Sequence, residues 1–303
     1  MTGGSEIRAR PGEVQRLAPG LRVVLAPNPS PMTLHGTNSY ILGEGRVAVI
    51  DPGPADPGHL AALLAALAPG ETVGHILVTH AHLDHSPLAR PLAEATGAPV
   101  LAFGDATAGR SALMERLAAA GGIEGGEGVD AGFAPDIALA DGTEIDGEGF
   151  RLTALHTPGH FGNHLSFCWE DAVFCGDHVM GWASSLVSPP DGDMGAYMAS
   201  LDRLAGLGAR RLYSGHGDPV DDATGRIAEL SAHRRAREAA IRAALAEGPA
   251  DAADLARRIY TDTPPALIRA ASRNVLAHLL DLTERKLAEP VGALSPQTRF
   301  RPL

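Results

Sequence analysis

The sequence predicts an α/β fold, in which mixed sheets form a sandwich, followed by a small helical C-terminal domain. Over the first 220 residues, short apolar runs alternate with Ala/Leu-rich helical stretches, and strands dominate the middle of this region. After about residue 225 the pattern becomes nearly continuous helix. Because the 303 residues are 45% hydrophobic, they can bury one or two cores. We therefore predict two domains, residues 1–225 and 226–303.

The elements of the first domain follow from local patterns along the chain. Apolar runs predict strands at 22–25, 40–42, 47–50, 75–79 and 98–103, and Ala/Leu-rich stretches predict helices at 57–68 and 87–96. The glycine-rich stretch Gly121–Gly132 is interpreted as a surface loop. Strands then dominate from Asp136 to Cys175, and a helix at 194–206 precedes a last strand at 211–213.

The second domain is predicted to contain three helices, at residues 226–246, 251–260 and 265–288, followed by a short tail with Pro and Gly. Apolar residues recur near helical spacing in the first and third of these helices. This order is typical of a small winged-helix-like domain. A helical cap packed on the first domain is almost equally well supported and stays open.

Composition argues against several classes of protein. No apolar run approaches 18 residues, and the first residues lack the apolar segment of a secretory signal. The two cysteines, Cys168 and Cys175, cannot build a disulfide framework or a cysteine-rich zinc site. We therefore expect a cytoplasmic protein that does not interact with membranes.

The charge is distributed unevenly. Residues 1–230 carry 13 arginines and no lysine against 28 acidic residues, whereas residues 231–289 carry 10 basic residues against 8 acidic ones. The larger part should therefore repel polyanions at long range, while the C-terminal part could tolerate them. With only 13 aromatic residues, any platform for stacking nucleic-acid bases would be small.

Potential metal ligands follow four of the predicted strands. His80-Ala-His82-Leu-Asp84-His85 comes directly after the strand that ends at Thr79. Three further candidates, His160, Asp177 and His216, each come just after an apolar run and directly after a glycine. Since glycine permits sharp turns and strand ends are where sheets present sites, we expect these side chains to converge.

Five imidazoles and two carboxylates suit two divalent metal ions. Zn²⁺ fits this donor set, and Mn²⁺ or Fe²⁺ fits as well because no thiolate forces a soft metal. Two ions about 3.5–4 Å apart can share a bridging hydroxide that is available at neutral pH. A carboxylate between the ions offsets part of their charge.

These residues resemble the metallo-β-lactamase superfamily, whose hallmark is His-x-His-x-Asp-His followed by separate His, Asp and His motifs. The resemblance covers roughly residues 15–220 and implies a four-layer αββα sandwich. It implies that the first metal is held by His80, His82 and His160, that the second is held by Asp84, His85 and His216, and that Asp177 bridges the two. Asp rather than Cys at position 177 is more similar to the glyoxalase II and nuclease branches than to the antibiotic-degrading enzymes. One departure is that Ser86-Pro-Leu-Ala-Arg-Pro91 stands where many relatives have a glycine pair.

The C-terminal segment 231–288 resembles the winged-helix extension of the lactamase-like 2 subgroup. The stretch Thr157–Ser166 and the segment Asp193–Leu201 are similar to the same subgroup. Its animal member is a single-strand endoribonuclease. This resemblance supports the subgroup more firmly than it supports the substrate.

The function predicted from these motifs is hydrolysis by a metal-bridging hydroxide, with Asp84 as the catalytic residue that orients the nucleophile and shuttles its proton. The substrate is a phosphodiester of single-stranded RNA or, as an alternative, a small thioester or lactone of the glyoxalase II type. Arg234, Arg235 and Arg237 could contact phosphates, or could form a solvated helix face. A further alternative is a metal-bound interaction module without turnover. A homodimer is compatible with the sequence.

Other residues near the motifs leave two interpretations open. Asp51 either orients a ligand or forms a strand-ending turn. His164 either faces the substrate or is a hydrogen-bonded core histidine. Thr79 and Ser86 either support the ligands or act as caps, and Cys175 is expected to be buried and unreactive.

Overall fold

The protein is described by a computed structural model that covers residues 6–121, 123, 128–295 and 297–303. The strands are β1 (Val14–Ala18), β2 (Leu21–Leu25), β3 (Asn38–Leu42), β4 (Arg46–Ile50), β5 (Thr72–Leu77), β6 (Val100–Ala102), β7 (Ile137–Ala138), β8 (Glu144–Gly147), β9 (Phe150–His156), β10 (Leu165–Trp169), β11 (Ala172–Gly176), β12 (Arg211–Ser214), β13 (Ala288–Pro290) and β14 (Phe300–Pro302). The helices are α1 (Pro57–Ala65), α2 (Ala89–Thr96), α3 (Ala112–Ala120), α4 (Met194–Gly206), α5 (Ala223–Ala246), α6 (Ala252–Ile259) and α7 (Ile268–Glu284), with a 3₁₀ turn at Pro265–Leu267.

Two mixed sheets face each other. In the described residues the first sheet has seven strands in the order β1 to β7, antiparallel through β4 and parallel from β4 onward. The second has five strands in the order β12-β11-β10-β9-β8, with only β11 and β12 parallel. Parallel neighbours need a crossover, and α1 and α2 supply it between β4, β5 and β6.

The largest core lies between the two sheets. Leu42 and Ile50 of the first sheet and Leu152, Phe167 and Phe174 of the second are among its buried side chains. The outer face of the first sheet is covered by α1 and α2, whose Leu63 and Leu92 pack in a second apolar cluster with side chains of β4 and β5. The outer face of the second sheet is covered by α4 and the beginning of α5. The predicted four-layer αββα sandwich is confirmed.

The C-terminal helices form a separate core together with a hairpin. Ile241 of α5, Leu255 of α6 and Leu279 of α7 pack with Phe300 of the antiparallel pair β13–β14. Three helices followed by a two-stranded hairpin form the predicted winged-helix domain. The chain after α7, predicted only as a tail, supplies the wing.

Two helices connect this core to the sandwich. The first domain contributes α3, whose Met114 packs in the C-terminal core. The long helix α5 packs Ile227 against the second sheet and Ile241 in the C-terminal core. The predicted boundary between residues 225 and 226 falls inside α5, and the division at that point stays a prediction.

Aspartate caps explain where several helices begin. The carboxylates of Asp56, Asp193, Asp222 and Asp251 each accept a hydrogen bond from the backbone N–H three residues later. Such a cap satisfies one of the four free N–H groups at a helix start and typically contributes about 1 kcal/mol.

Among the residues that the structure describes, no helix is both long and apolar enough to cross a membrane.

Candidate metal centre

The structure brings all seven predicted ligands together at the ends of β5, β9, β11 and β12. They form two groups, and within each group one ligand atom from every residue lies within 4.8 Å of the others. We call His80, His82 and His160 the three-histidine cluster, and Asp84, His85, Asp177 and His216 the four-residue cluster.

The ring nitrogens of the three-histidine cluster converge on one point. His160 Nδ1 lies 2.6 Å from the Leu186 carbonyl oxygen, which can only accept, so Nδ1 carries the ring proton. His80 Nδ1 lies 2.9 Å from the Thr79 hydroxyl. That hydroxyl already donates to Asp51, so His80 Nδ1 is the donor as well.

Both Nε2 atoms therefore present lone pairs to the same partner. His82 Nδ1 lies 2.9 Å from His80 Nε2 and 3.1 Å from His160 Nε2. His82 Nδ1 carries at most one proton and can donate it to only one of them, so at least one of the two Nε2 lone pairs has no proton directed at it. Ligand nitrogens of a tetrahedral zinc ion would lie about 3.3 Å apart, close to these distances. A divalent cation fits this arrangement.

The four-residue cluster has the same feature with carboxylates as partners. His216 Nδ1 donates to the Gly36 carbonyl at 3.1 Å, and His85 Nδ1 donates to Asp51 at 2.9 Å. The Nε2 atom of His216 then faces Asp177 at 3.3 Å, and that of His85 faces Asp177 at 3.4 Å. Both Nε2 atoms and Asp177 Oδ1 are buried without a hydrogen-bond partner of acceptable geometry in the described residues. A lone pair that faces a carboxylate needs a proton or a metal ion between them.

Burial and neighbouring charges give the two clusters opposite proton affinities. Burial lowers the pKa of His80 well below its usual value and that of His82 to about 3, and adjacent imidazoles add to the effect. Burial also lowers the pKa of His160. Burial alone would lower the pKa of His216, but Asp177 and Asp84 outweigh it and raise this pKa to about 9. The three-histidine cluster is therefore neutral at pH 7.

The other ionisable groups of the four-residue cluster follow the same balance. Burial opposes the charge on His85, yet Asp84, Asp177 and Asp51 raise its pKa well above the usual value. Burial would raise the pKa of Asp84, but His85 and His216 hold it below the normal carboxyl range. Burial would also raise the pKa of Asp177, but His216 and His85 hold it well below the normal carboxyl range, and His216 has the larger effect of the two. Without a metal this cluster is a set of imidazolium–carboxylate pairs.

Local backbone geometry lets the ligands approach one another. A Cβ atom at Gly215 would lie 2.6 Å from His85 Cε1 and would also collide with Asp177. Gly176 adopts φ +45°, and a Cβ atom there would lie 2.8 Å from Thr79 Oγ1. Only glycine fits these two positions, which is the role that the sequence predicted for a glycine before each ligand.

Asp51 resolves one of the open interpretations. It adopts φ +51°, a left-handed conformation that is uncommon for residues other than glycine. In this position its carboxylate accepts from the Thr79 backbone N–H at 2.7 Å, from the Thr79 hydroxyl at 2.8 Å and from His85 at 2.9 Å. Asp51 therefore orients His85 directly and His80 through Thr79.

A cavity of about 650 Å³ lies beside both clusters and is lined by His82, Asp84, His160 and Asp177. Most of its other walls are apolar. Met32, Leu83 and Trp182, which are 46%, 51% and 38% exposed, are among the largest of these side chains. No arginine or lysine is among the described residues that line it.

The C-terminal domain closes one side of this cavity, which the sequence analysis did not predict. Its contribution includes Tyr260, Leu267 and Asn274. The nearest signal in the sequence is Thr-Asp-Thr-Pro-Pro, which directly follows the predicted helix 251–260 and is typical of a helix end. A loop over a cavity and a loop at a surface have the same composition, so the pattern could not distinguish them.

The Gly121–Gly132 stretch was predicted to be a surface loop, and residues 122 and 124–127 lie outside the described residues. The described part contacts the site. Val129 pairs with His82 in an isolated bridge, and Asp130 accepts a hydrogen bond of 2.7 Å from Ser86. Gly128 lines the cavity. The end of this loop therefore supports the His-x-His-x-Asp-His turn.

Several other expectations are settled by burial. His164 is a fully buried core histidine, 2.9 Å from the Thr157 hydroxyl. Burial raises the pKa of Cys175 to about 12, which agrees with an unreactive thiol. The phosphate-contacting and solvated interpretations are both wrong for Arg234, which is 1% exposed. Arg237 lies over the Tyr260 ring at 4.3 Å and donates to the Ile259 carbonyl, while Arg235 is exposed.

Comparison with known proteins agrees with this architecture. The profile described as metallo-beta-lactamase superfamily matches residues 32–216, and the profile described as beta-lactamase associated winged helix domain matches residues 252–293. A beta-lactamase-like protein 2 homolog of Drosophila melanogaster is 32% identical over 279 residues, which cover 89% of each chain. An atrochrysone carboxyl ACP thioesterase of Aspergillus chevalieri is 31% identical over 248 residues, which cover 80% of this chain and 71% of that protein.

A solved structure agrees over nearly the whole length. A metallo-beta-lactamase family protein of Thermus thermophilus is 30% identical and superposes with a TM-score of 0.75, covering 95% of this chain and 100% of that one. The superfamily usually binds divalent metals, and the two clusters have the donors for them. The chain belongs to the metallo-β-lactamase superfamily.

Proposed function

We propose that the protein is a binuclear metal-dependent hydrolase of small acyl compounds, with thioesters or lactones of apolar acyl groups as its substrates. The observation that carries this proposal is the cavity beside the two clusters, which is largely apolar and has no cationic side chain among its described lining residues. Ligand sites of this size and character enclose small apolar molecules. The similarity to a fungal thioesterase supports the same substrate class.

The seven clustered side chains are the proposed ligands of two metal ions. Zn²⁺ is the proposed metal, because the donors are imidazoles and carboxylates, and His82 Nδ1 lies 2.9 and 3.1 Å from the other two ring nitrogens of the three-histidine cluster. Bound there, two such ions would supply Lewis acidity toward the scissile carbonyl and a nucleophile at neutral pH. His80, His82 and His160 would hold one ion, Asp84, His85 and His216 would hold the other, and Asp177 would be a ligand shared by both.

Asp84 is the proposed catalytic residue. Its side chain is 27% exposed, lines the cavity, and lies 3.2 Å from His216 Nε2. A carboxylate at this place can accept a hydrogen bond from the attacking water, orient it, and hold its proton until the leaving group takes it. Burial would raise the pKa of Asp84, but the neighbouring imidazoles keep it low, so the carboxylate is ionised and can accept a hydrogen bond from water.

Single-stranded RNA, which the resemblance implied, is the weaker proposal. A two-metal site suits phosphodiesters, but a backbone phosphate in this cavity would meet no arginine or lysine among its described lining residues. Of the three arginines considered for phosphate contact, Arg234 is buried and Arg237 is engaged within the C-terminal domain. RNA cleavage therefore enters as a competing outcome of the test.

The test compares substrates on Zn²⁺- and Mn²⁺-loaded protein. Short and long acyl thioesters, a lactone and a labelled single-stranded RNA are assayed in parallel, with Asp84→Ala as the control for contaminating hydrolases. Thioester or lactone turnover that disappears in the variant supports the proposal. RNA cleavage that disappears in the variant supports the phosphodiesterase. Absence of all turnover with both metals bound would support the alternative of a metal-bound interaction module without turnover.

A homodimer stays a prediction, which analytical ultracentrifugation tests.

A further inference from the structure

Three consecutive residues, Ser185, Leu186 and Val187, lie between the metal centre and the C-terminal domain. We call them the 185–187 segment. Each residue makes one main-chain hydrogen bond to a side chain outside the segment: the Ser185 carbonyl accepts from Arg234, the Leu186 carbonyl accepts from His160, and the Val187 N–H donates to Asn274.

On the side of the metal centre, the segment fixes two proposed ligands. The Leu186 carbonyl accepts the proton of His160 Nδ1 at 2.6 Å, which sets the tautomer and the direction of Nε2. The Ser185 hydroxyl lies within hydrogen-bond distance of the main-chain carbonyls of Asp177 and His178. The backbone that carries Asp177 is therefore tied to the same segment.

On the other side, α5 and α7 hold the segment through two polar side chains. Asn274 Oδ1 accepts from the Val187 N–H at 2.9 Å and from Arg234 Nη1 at 3.3 Å. The Arg234 guanidinium lies 5.1 Å from the centre of the Tyr197 ring. A buried guanidinium is costly to desolvate, so it must keep the partners that compensate it, and its position is fixed.

We propose that Arg234 and Asn274 are positioning residues for His160, so that the C-terminal domain completes the three-histidine cluster. Their hydrogen bonds hold the peptide groups on both sides of Leu186, and its carbonyl cannot turn without breaking one of them. If that carbonyl turned, the His160 ring would lose its partner and Nε2 would leave the common point. This inference rests on the proposed metal site.

The test is Co²⁺ binding to the full-length chain, followed by titration and by the ligand-field absorption spectrum. All variants carry His216→Ala, which disables the four-residue cluster, so that the signal comes from the three-histidine cluster. Arg234→Met, of similar length without the charge, is expected to weaken Co²⁺ binding about 10–100-fold and to change the spectrum.

Arg226→Met is the matched control. Arg226 also lies on α5 and also donates to the loop between β11 and α4, which contains the 185–187 segment. Its acceptors are the Met180 carbonyl at 2.8 Å and the Ala183 carbonyl at 2.9 Å, which come before the residues that contact His160 and Asp177. We expect it to leave Co²⁺ affinity unchanged. An equal loss of Co²⁺ affinity in both variants would mean that the arginine contacts only hold this loop against α5 without orienting His160. That result would overturn the inference.

Asn274 provides a second comparison if Arg234→Met does not fold. Asn274→Leu removes the acceptor and is expected to weaken Co²⁺ binding, whereas Asn274→Asp keeps an oxygen for both donors and is expected to retain it. Co²⁺ affinity and spectrum equal to those of the His216→Ala parent in both Arg234→Met and Asn274→Leu would overturn the positioning role. If the His216→Ala parent binds no Co²⁺ and the wild type also binds none, the proposed metal site itself fails.

Discussion

Titrating the metal-free protein with Zn²⁺ at several pH values is expected to fill the three-histidine cluster throughout, and the four-residue cluster only as the pH rises. Metal and proton compete for the same ring nitrogens, so the pKa of each histidine sets the competition. Burial lowers the pKa of His82 to about 3, so no proton has to leave it at neutral pH. Asp177 and Asp84 raise the pKa of the buried His216 to about 9.

The size of the effect follows from that pKa. At pH 7 only about 1% of His216 would be unprotonated, which reduces the apparent affinity of the four-residue cluster about 100-fold, or about 2.7 kcal/mol. The same carboxylates raise the pKa of His85, so a metal ion that binds this cluster displaces a second proton from His85. The apparent affinity should therefore rise between tenfold and 100-fold per pH unit up to about pH 9.

Isothermal titration in two buffers of different ionisation enthalpy measures the released protons directly. We expect none with the first equivalent of Zn²⁺ at pH 7 and up to two with the second. His216→Ala should remove the pH-dependent step, and His82→Ala should remove the pH-independent one. Equal proton release in both steps, or loss of the tighter step in His216→Ala, would refute the reasoning from these pKa shifts.

Three further predictions concern the surroundings of the site. Asp51→Ala removes the acceptor of Thr79 and His85 and should weaken metal binding about 10–100-fold in the same titration; an unchanged isotherm would contradict its orienting role. Trp182→Ala should raise KM for long acyl thioesters about tenfold or more with little change for acetyl thioesters, and an equal change for both would argue against acyl contact with this wall. In the metal-free protein, the raised pKa of His216 contributes stability that is complete below its unfolded value of 6.5 and is lost as the pH rises through about 9. The urea midpoint of the metal-free protein should therefore fall over that interval, and a rise would show that other groups dominate.

The seven proposed ligands could be found from sequence because their chemistry is concentrated in few residue types. Histidine and aspartate after apolar runs are conspicuous, and the ends of neighbouring strands must lie close together in a sheet. The two-stranded wing of the winged helix was not predicted from the sequence. Its strands β13 and β14 are three residues each, too short to show the alternation of apolar and polar residues that predicts a strand. The short helix α3 was not predicted, although Ser111 caps it and Gly121 ends it.

Contacts distant in sequence could not be predicted. Arg234 and the Ser185 carbonyl are 49 positions apart, and Asn274 and Val187 are 87 positions apart. An arginine on an Ala/Arg-rich helix has the same pattern whether it faces solvent or a carbonyl group of another domain. The orienting role of Asp51 depends on a left-handed backbone conformation that no local pattern in Ile-Asp-Pro-Gly specified.

The helices shared between the two cores limit how this chain can be assembled and how it can evolve. During synthesis, α3 emerges long before α6 and α7, so its Met114 stays without its final packing partners until the C-terminal helices have left the ribosome. A module that could be exchanged freely would carry all of its own core, and neither part of this chain does. Recombination that replaced the winged helix would therefore also have to preserve the apolar face of α3 and the register of α5. The two domains are expected to be inherited as one unit.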